Sequence, residues 1–280
     1  MRELRAEPVT GPVAHHGEGP VWHPSWAGVR WVDMLAGDIL ELAGGEVRRT
    51  HVADVAAAFR PRRGGGVVLA GERTLLLLDD ELRCERDLGP VWSDPGIRFN
   101  EGGCTPDGAF WCGSMAYDER PGAGTLYRLD PDLTVEPVLT GVTVSNGLGV
   151  DPTGTRVYYN DTPTGRVDVF DLAAGPASRH PFVEVTGHPD GLTVDAGGGV
   201  WVALWGGSAV HRYTPEGRLD ARVRLPVSRV TACAFGGPDL DTLYVTTSAE
   251  GMEPGAEPLA GALFAVDPGV RGLPVLEFAG

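Results

Sequence analysis

The sequence predicts an all-β fold, a six-bladed β-propeller read as a single domain over residues 1–280. Three observations predict it. Strand-like segments with aromatic or apolar centres recur at positions 31, 68, 111, 158, 201 and 244, spaced 37 to 47 residues apart, which is the period of a blade of four short strands. Glycine numbers 41 and proline 23; glycine is about twice its usual ~7 % share, a composition that favours many tight turns. Finally, the amphipathic crossover helices of ~10–15 residues that a βαβ fold requires are missing. The one helix-like segment, residues 52–59, is short and rich in alanine.

Each element follows from that repeat. The clearest copy is residues 144–172, read as an amide-glycine loop (Ser145, Asn146, Gly147), an apolar run (148–150), a turn (151–154), a second strand (156–159), a turn at Thr164 and Gly165, and a third strand (166–171). The second strands of the six units fall at 29–33, 67–70, 109–112, 157–160, 200–203 and 243–246, and the third strands at 38–42, 74–78, 124–129, 166–171, 209–213 and 261–266. Turn residues precede most second strands, as in TPDG (105–108) and GGPD (236–239). Ring closure is expected from residues 6–13, lying as a strand of the last blade beside residues 276–278.

Composition excludes several function classes. A net charge of −15 argues against a nucleic-acid partner, which needs a basic footprint. No run of ~18 apolar residues predicts a membrane span. The amino-terminal MRELRAEPVTG lacks the apolar centre of a secretory signal, so a cytoplasmic location is the expectation. Cys84, Cys104, Cys112 and Cys233 form no CxxC pair and are expected to be small core residues. All 23 basic residues are arginine, so Schiff-base lysine chemistry and a P-loop lysine are excluded. GGSAV (206–210) lacks the last glycine of a nucleophile elbow, and there is no HExxH helix.

The polar residues converge where the repeat places them. Four units open with a carboxylate or amide near glycine: Glu18-Gly19, Asn100-Glu101-Gly102, Asn146-Gly147 and Asp190-Gly191, at 11 to 13 residues before the aromatic centre. The chain has three asparagines, and two of them are in this set. In a propeller these positions meet at one mouth of the central channel. Oxygen-bearing side chains there suit one hard divalent cation, Ca²⁺ first, with Mg²⁺ or Mn²⁺ as alternatives, and the absence of His and Cys disfavours structural zinc. Taken singly, Asn-Gly and Asp-Gly are ordinary turn dipeptides.

GEGPVW (17–22), RFNEGG (98–103), GSM (113–115), SNGL (145–148), PDGL (189–192) and CAFGGPDLDTLYVTTSAEGM (233–252) occur in an order that resembles the regucalcin/gluconolactonase (senescence marker protein-like) family. The resemblance implies a divalent-metal-dependent enzyme that hydrolyses a sugar lactone, with no protein partner implied. It implies Glu18, Asn146 and Asp190 as metal ligands, Asp190 also as general base, and Arg98 and Asn100 as substrate contacts. Asp118 falls where some relatives carry a substrate-binding glutamate and is shorter, and Glu101 stands where an aspartate is common. A three-ligand site with open positions could also admit Zn²⁺ or Mn²⁺. Two other readings fit the same residues: a calcium-binding propeller without catalysis, and a hydrolase of another ester or a phosphotriester, since fold does not fix chemistry. His15, His16 and His188 beside the site are expected to be solvated, and Trp31, Trp111 and Trp201 to pack the blades. Trp205 is a possible sugar-stacking residue, Asp161 a support, and residues 119–124 a rim loop.

Overall fold

The computed structural model describes residues 1–280 as six antiparallel sheets arranged around one axis. Blade one holds Gly17–Val21, Val29–Asp33, Asp38–Ala43 and Glu46–His51, from the inside outward. Blade two holds Ala58–Pro61, Val67–Ala70, Thr74–Leu78 and Cys84–Pro90. Blade three follows with Ile97–Cys104, Phe110–Ala116, Gly124–Leu129 and Val135–Val142. Blade four is Ser145–Val150, Arg156–Asp161, Arg166–Asp171 and His180–Glu184, and blade five His188–Val194, Val200–Trp205, Ala209–Tyr213 and Leu219–Arg224. Blade six has Val230–Gly236, Thr242–Thr247 and Phe264–Val266. The inner strands are mostly buried, whereas the outermost ones are largely exposed or half-buried; the apolar side chains therefore pack between blades.

Both chain ends close the ring. Glu7–Pro8 pairs antiparallel with Phe264–Val266 as the fourth strand of blade six. The expectation that residues 276–278 lie beside that strand is corrected: the Phe278 amide donates to Pro61 O at 2.9 Å and Ala279 to Gly108 O at 2.9 Å, so the tail caps blades two and three. Phe278 is fully buried there, and this burial holds the tail in place. Arg2–Arg5 adds an unforeseen fifth strand, parallel to Leu219–Arg224, at the outer edge of blade five, where it covers an otherwise open row of backbone donors and acceptors.

Two local expectations also change. Residues 52–59 form no helix; the segment is extended and leads into Ala58–Pro61. Ala56, Ala57 and Ala58 are all fully buried, so their small size serves close packing, and tertiary contact overrides helix propensity. Ser145, Asn146 and Gly147 are strand residues rather than a loop. Trp31, Trp111 and Trp201 are buried between blades as expected, and of the four cysteines only Cys84 is exposed, on an outer strand.

Glycines beside the axis set how closely the inner strands approach. A Cβ on Gly147 would fall 2.5 Å from Leu192 N and 2.7 Å from Asp190 O, and one on Gly191 would fall 2.5 Å from the Ala232 Cβ. Of Gly19, Gly102, Gly147 and Gly191, only Gly19 has a positive φ, 48°. Turn chemistry therefore does not explain the other three; backbone proximity does. The strand entries are clasped by carboxylates at the ends of second strands. Asp33 accepts the His15 amide at 3.0 Å and the His16 amide at 2.9 Å. Asp161, in the equivalent place of blade four, accepts Thr143 N at 3.1 Å and Val144 N at 3.0 Å.

Gly147→Ala should cost about 1–3 kcal/mol in chemical denaturation through overpacking against backbone, while Gly64→Ala, with nothing within 4 Å of its new Cβ, should stay within about 0.5 kcal/mol. Asp161→Ala leaves two amides without their acceptor and should lower stability by about 1–3 kcal/mol in the same measurement; an unchanged midpoint would show that water replaces the clasp.

Candidate active site

A backbone irregularity aims the polar residues at the axis. In blade three the pairing runs Phe99↔Ser114 and resumes at Gly102↔Cys112, leaving Asn100 and Glu101 opposite a single residue. The same two-against-one break falls on Asn146 and Gly147, on Asp190 and Gly191, and on Thr231 and Ala232 in blades four, five and six. In blade one it follows directly after Glu18, and in blade two the pairing is unbroken. A β-bulge bends its strand and re-aims a side chain. Five blades therefore carry the break, and four present an oxygen-rich side chain at it; blade six has Thr231, whose hydroxyl donates to Gly17 O at 2.6 Å.

The sequence-predicted residues meet there. Glu18, Asn100, Asn146 and Asp190 are all buried, at 3 to 5 % exposure. Asn100 Nδ2 donates to Asn146 Oδ1 at 3.2 Å and to Ser145 O at 2.9 Å. Asn146 Nδ2 donates to Thr162 Oγ at 2.9 Å, and that hydroxyl passes its own proton to Pro189 O at 2.8 Å. This relay fixes which way the Asn146 amide faces. The Asp190 carbonyl is held by Asn160 Nδ2 at 2.6 Å, so the third asparagine supports the site from the neighbouring strand.

Arg98 is no surface residue. It is buried, donates from Nη1 to Asn100 Oδ1 at 2.6 Å and to Phe99 O at 3.0 Å, and lies 3.1 Å from Met34 Sδ. Its guanidinium also sits over the exposed Tyr117 ring at 5.6 Å, and its buried Nε has no partner. Asp118 stands apart: its side chain is 65 % exposed and ion-paired with Arg120 at 3.1 Å. Of the expected rim loop, residues 119–122 are exposed, whereas Gly124 is the buried first residue of Gly124–Leu129. His15 and His188 are exposed, but His16 is buried, contrary to expectation. It bonds Ser248 Oγ at 2.8 Å, and burial, with Arg98, His15 and Arg229 nearby, pushes its pKa down to about 3.

Electrostatically the ring is a set of desolvated acids. Burial, reinforced by Glu250, pushes Glu18 up to about 7, against the pull of the Gly19 amide and Arg98. Asp190 is raised well above the usual carboxylate range by burial and by Glu18 and Glu101. Glu101, given no role from sequence, is raised in the same way, and its buried Oε2 has no partner. No three His, Cys, Asp or Glu side chains are grouped as a metal site; the oxygen set is two carboxylates, Glu18 and Asp190, with amides beside them. Beyond Glu101 the channel widens to a cavity of about 430 Å³, lined by Arg60, Leu148, Leu192 and Phe235 and reached by residues 273–276, on the side away from Arg98. Sequence reasoning missed Thr162, Tyr117 and Glu250, because loop and strand-end residues outside the repeated motif carry no periodic signal.

The profile of the SMP-30/Gluconolactonase/LRE-like region matches residues 16–249. A pentonolactonase of Haloferax volcanii is 35 % identical over 288 residues, covering 92 % of each chain, and regucalcin of Xenopus laevis is 31 % identical over 299 residues, covering 100 % of each. A solved structure of a calcium-binding protein, regucalcin from Agrobacterium tumefaciens, superposes with a TM-score of 0.92 at 26 % identity, over 100 % of both chains. With a profile match across most of its length and full-length relatives above 30 % identity, the chain belongs to the SMP-30/gluconolactonase/LRE-like family.

Proposed function

We propose that the protein hydrolyses a sugar lactone to its open acid with the help of one divalent cation. The observation that carries this reading is the pair of buried carboxylates, Glu18 and Asp190, facing the axis with no ion pair of their own beside an arginine that also has none. Lactonases among the relatives support the reaction, and the calcium-binding regucalcin supports the cation. The donors fit the ion. They are all oxygen, they are desolvated, and their charge is uncompensated, which is what a hard cation relieves. Glu18, Asn146 and Asp190 would hold it; Ca²⁺ is favoured, and Zn²⁺, Mn²⁺ or Mg²⁺ are alternatives. When bound, the ion supplies Lewis acidity, polarising the lactone carbonyl and making a water more acidic.

The chain's own groups do the rest. Asp190 accepts the proton of the attacking water. The same group returns the proton to the ring oxygen as the ring C–O bond breaks, leaving a hydroxy acid. Arg98 offers the guanidinium N–H groups not taken by Asn100 and Phe99 to substrate oxygens. Asn100 holds Arg98 through Oδ1 and Asn146 through Nδ2, so it acts as a positioning residue as well as a lining one. Asp118, turned to Arg120 on the rim, is assigned no substrate contact. A cation-binding role without catalysis would leave the buried Arg98 unexplained, which favours the enzyme.

Asp190→Ala should abolish lactone opening above the spontaneous rate in a pH-indicator assay while the far-UV spectrum stays native; retained turnover with cation present would remove Asp190 as base. Cation affinity, measured by calorimetry on chelator-stripped protein, should fall roughly tenfold from pH 8 to pH 6. Glu18 is pushed up to about 7, so below that pH a proton competes with the ion, and above it the competition ends. An affinity flat across that window would exclude Glu18 as a ligand.

A further inference from the structure

Across the mouth from Arg98, blade six and the end of blade five build a second polar wall. Glu250 follows the strand Thr242–Thr247, and its Oε2 lies 3.2 Å from His16 Nδ1. Its carboxylate is half-exposed and reaches toward the cluster, since it is the strongest charge sustaining Arg98 and also acts on Glu18. Arg229 stands two residues before the register break of blade six, as Arg98 does in blade three. Third and sixth blades of a six-membered ring are opposite one another, so the two arginines occupy equivalent places on facing sides. The Arg229 guanidinium lies over the Trp205 ring at 5.0 Å, and its Nη2 donates to Gly251 O at 3.4 Å. Trp205 itself stands edge-on to His16 with ring centres 6.0 Å apart. Neither arginine is spent on a carboxylate, in a chain with 38 acidic and 23 basic residues.

We infer that Glu250 and Arg229, with Trp205 as the platform beneath the guanidinium, bind the neutral hydroxylated tail of the lactone; this rests on the lactonase reading above. Adjacent hydroxyls on a sugar tail need an acceptor for one proton and a donor to the neighbouring oxygen. A carboxylate and a guanidinium on one wall supply both. A phosphate or carboxylate on the tail would instead meet Glu250 head-on. The wall therefore selects lactones with an uncharged polyol tail, and it supplies from blade six the carboxylate contact that Asp118, held by Arg120 on the rim, does not.

The test compares two lactones with the same trans-dihydroxylated ring: D-galactono-1,4-lactone, which has a two-carbon polyol tail, and L-threono-1,4-lactone, which has none. Glu250→Gln should lower kcat/KM for the first about tenfold more than for the second, through KM; Arg229→Gln should do the same. Calorimetric binding of 1,4-anhydrogalactitol, which keeps ring and tail but cannot be hydrolysed, should weaken by a similar factor in both variants. Equal losses on both lactones, no loss on either, an equal loss from Asp118→Asn, or a preference for 6-phosphogluconolactone over gluconolactone would overturn the inference. If wild type opens no lactone yet binds the anhydride, and Glu250→Gln weakens that binding, the wall stands and the lactonase reading falls. If turnover is normal and the two variants are silent, the reverse holds.

Discussion

The inner strands of neighbouring blades approach until their backbones leave no room for a side chain, and the site depends on that closeness. Gly147 and Gly191 lie where a Cβ would overlap the next strand. A two-against-one break, at equivalent residues in blades three to six and directly after Glu18 in blade one, then turns one residue of each toward the axis. The break sets direction and the glycine sets distance. Neither selects chemistry, as Thr231 demonstrates by bonding Gly17 O from the same kind of position. Side-chain identity decides which blades contribute oxygen to the centre.

Packing four polar residues into so narrow a ring has an electrostatic cost that the surrounding groups offset only in part. Hydrogen bonds donated by Asn100 and Asn160, and one accepted by Thr162, orient amides and backbone around the carboxylates without neutralising them. Arg98 is the buried cation nearest these carboxylates, and it bonds Asn100 rather than an acid. Glu18, Glu101 and Asp190 consequently hold protons more tightly than ordinary carboxylates. A closed propeller can bear that strain because its stability resides in the apolar interblade clusters.

Much of this was legible in the chain alone. The blade period, the second and third strands, and the convergence of Glu18, Asn100, Asn146 and Asp190 all follow from side-chain pattern, because the repeat imposes the same environment on equivalent positions. What escaped had no repeat to reveal it. The bulges are backbone events, so Ser145 and Gly147 read as a loop. His16 looked like a solvated loop histidine, yet Asp33 clasps its backbone and Ser248 its ring. The tail past Val266 was placed in blade six because strand-like residues give no sign of which sheet edge they join; burial of Phe278 decided it.

Blade two explains the last anomaly, the alanine-rich segment that resembled a helix. It is the one blade whose inner strand is regular and offers the centre no oxygen from a bulge. Arg98 leaves blade three and reaches Met34 at the end of blade one, crossing the sector of blade two. Ala56 bonds through its amide to Met34 O at 3.0 Å and, like Ala57 and Ala58, is fully buried. Larger side chains there would overfill the apolar cluster that the three alanines share with Met34 and Phe59. The alanines thus encode close packing rather than a helix. They let the entry of blade two lie against the end of blade one, where Met34 meets the Arg98 guanidinium.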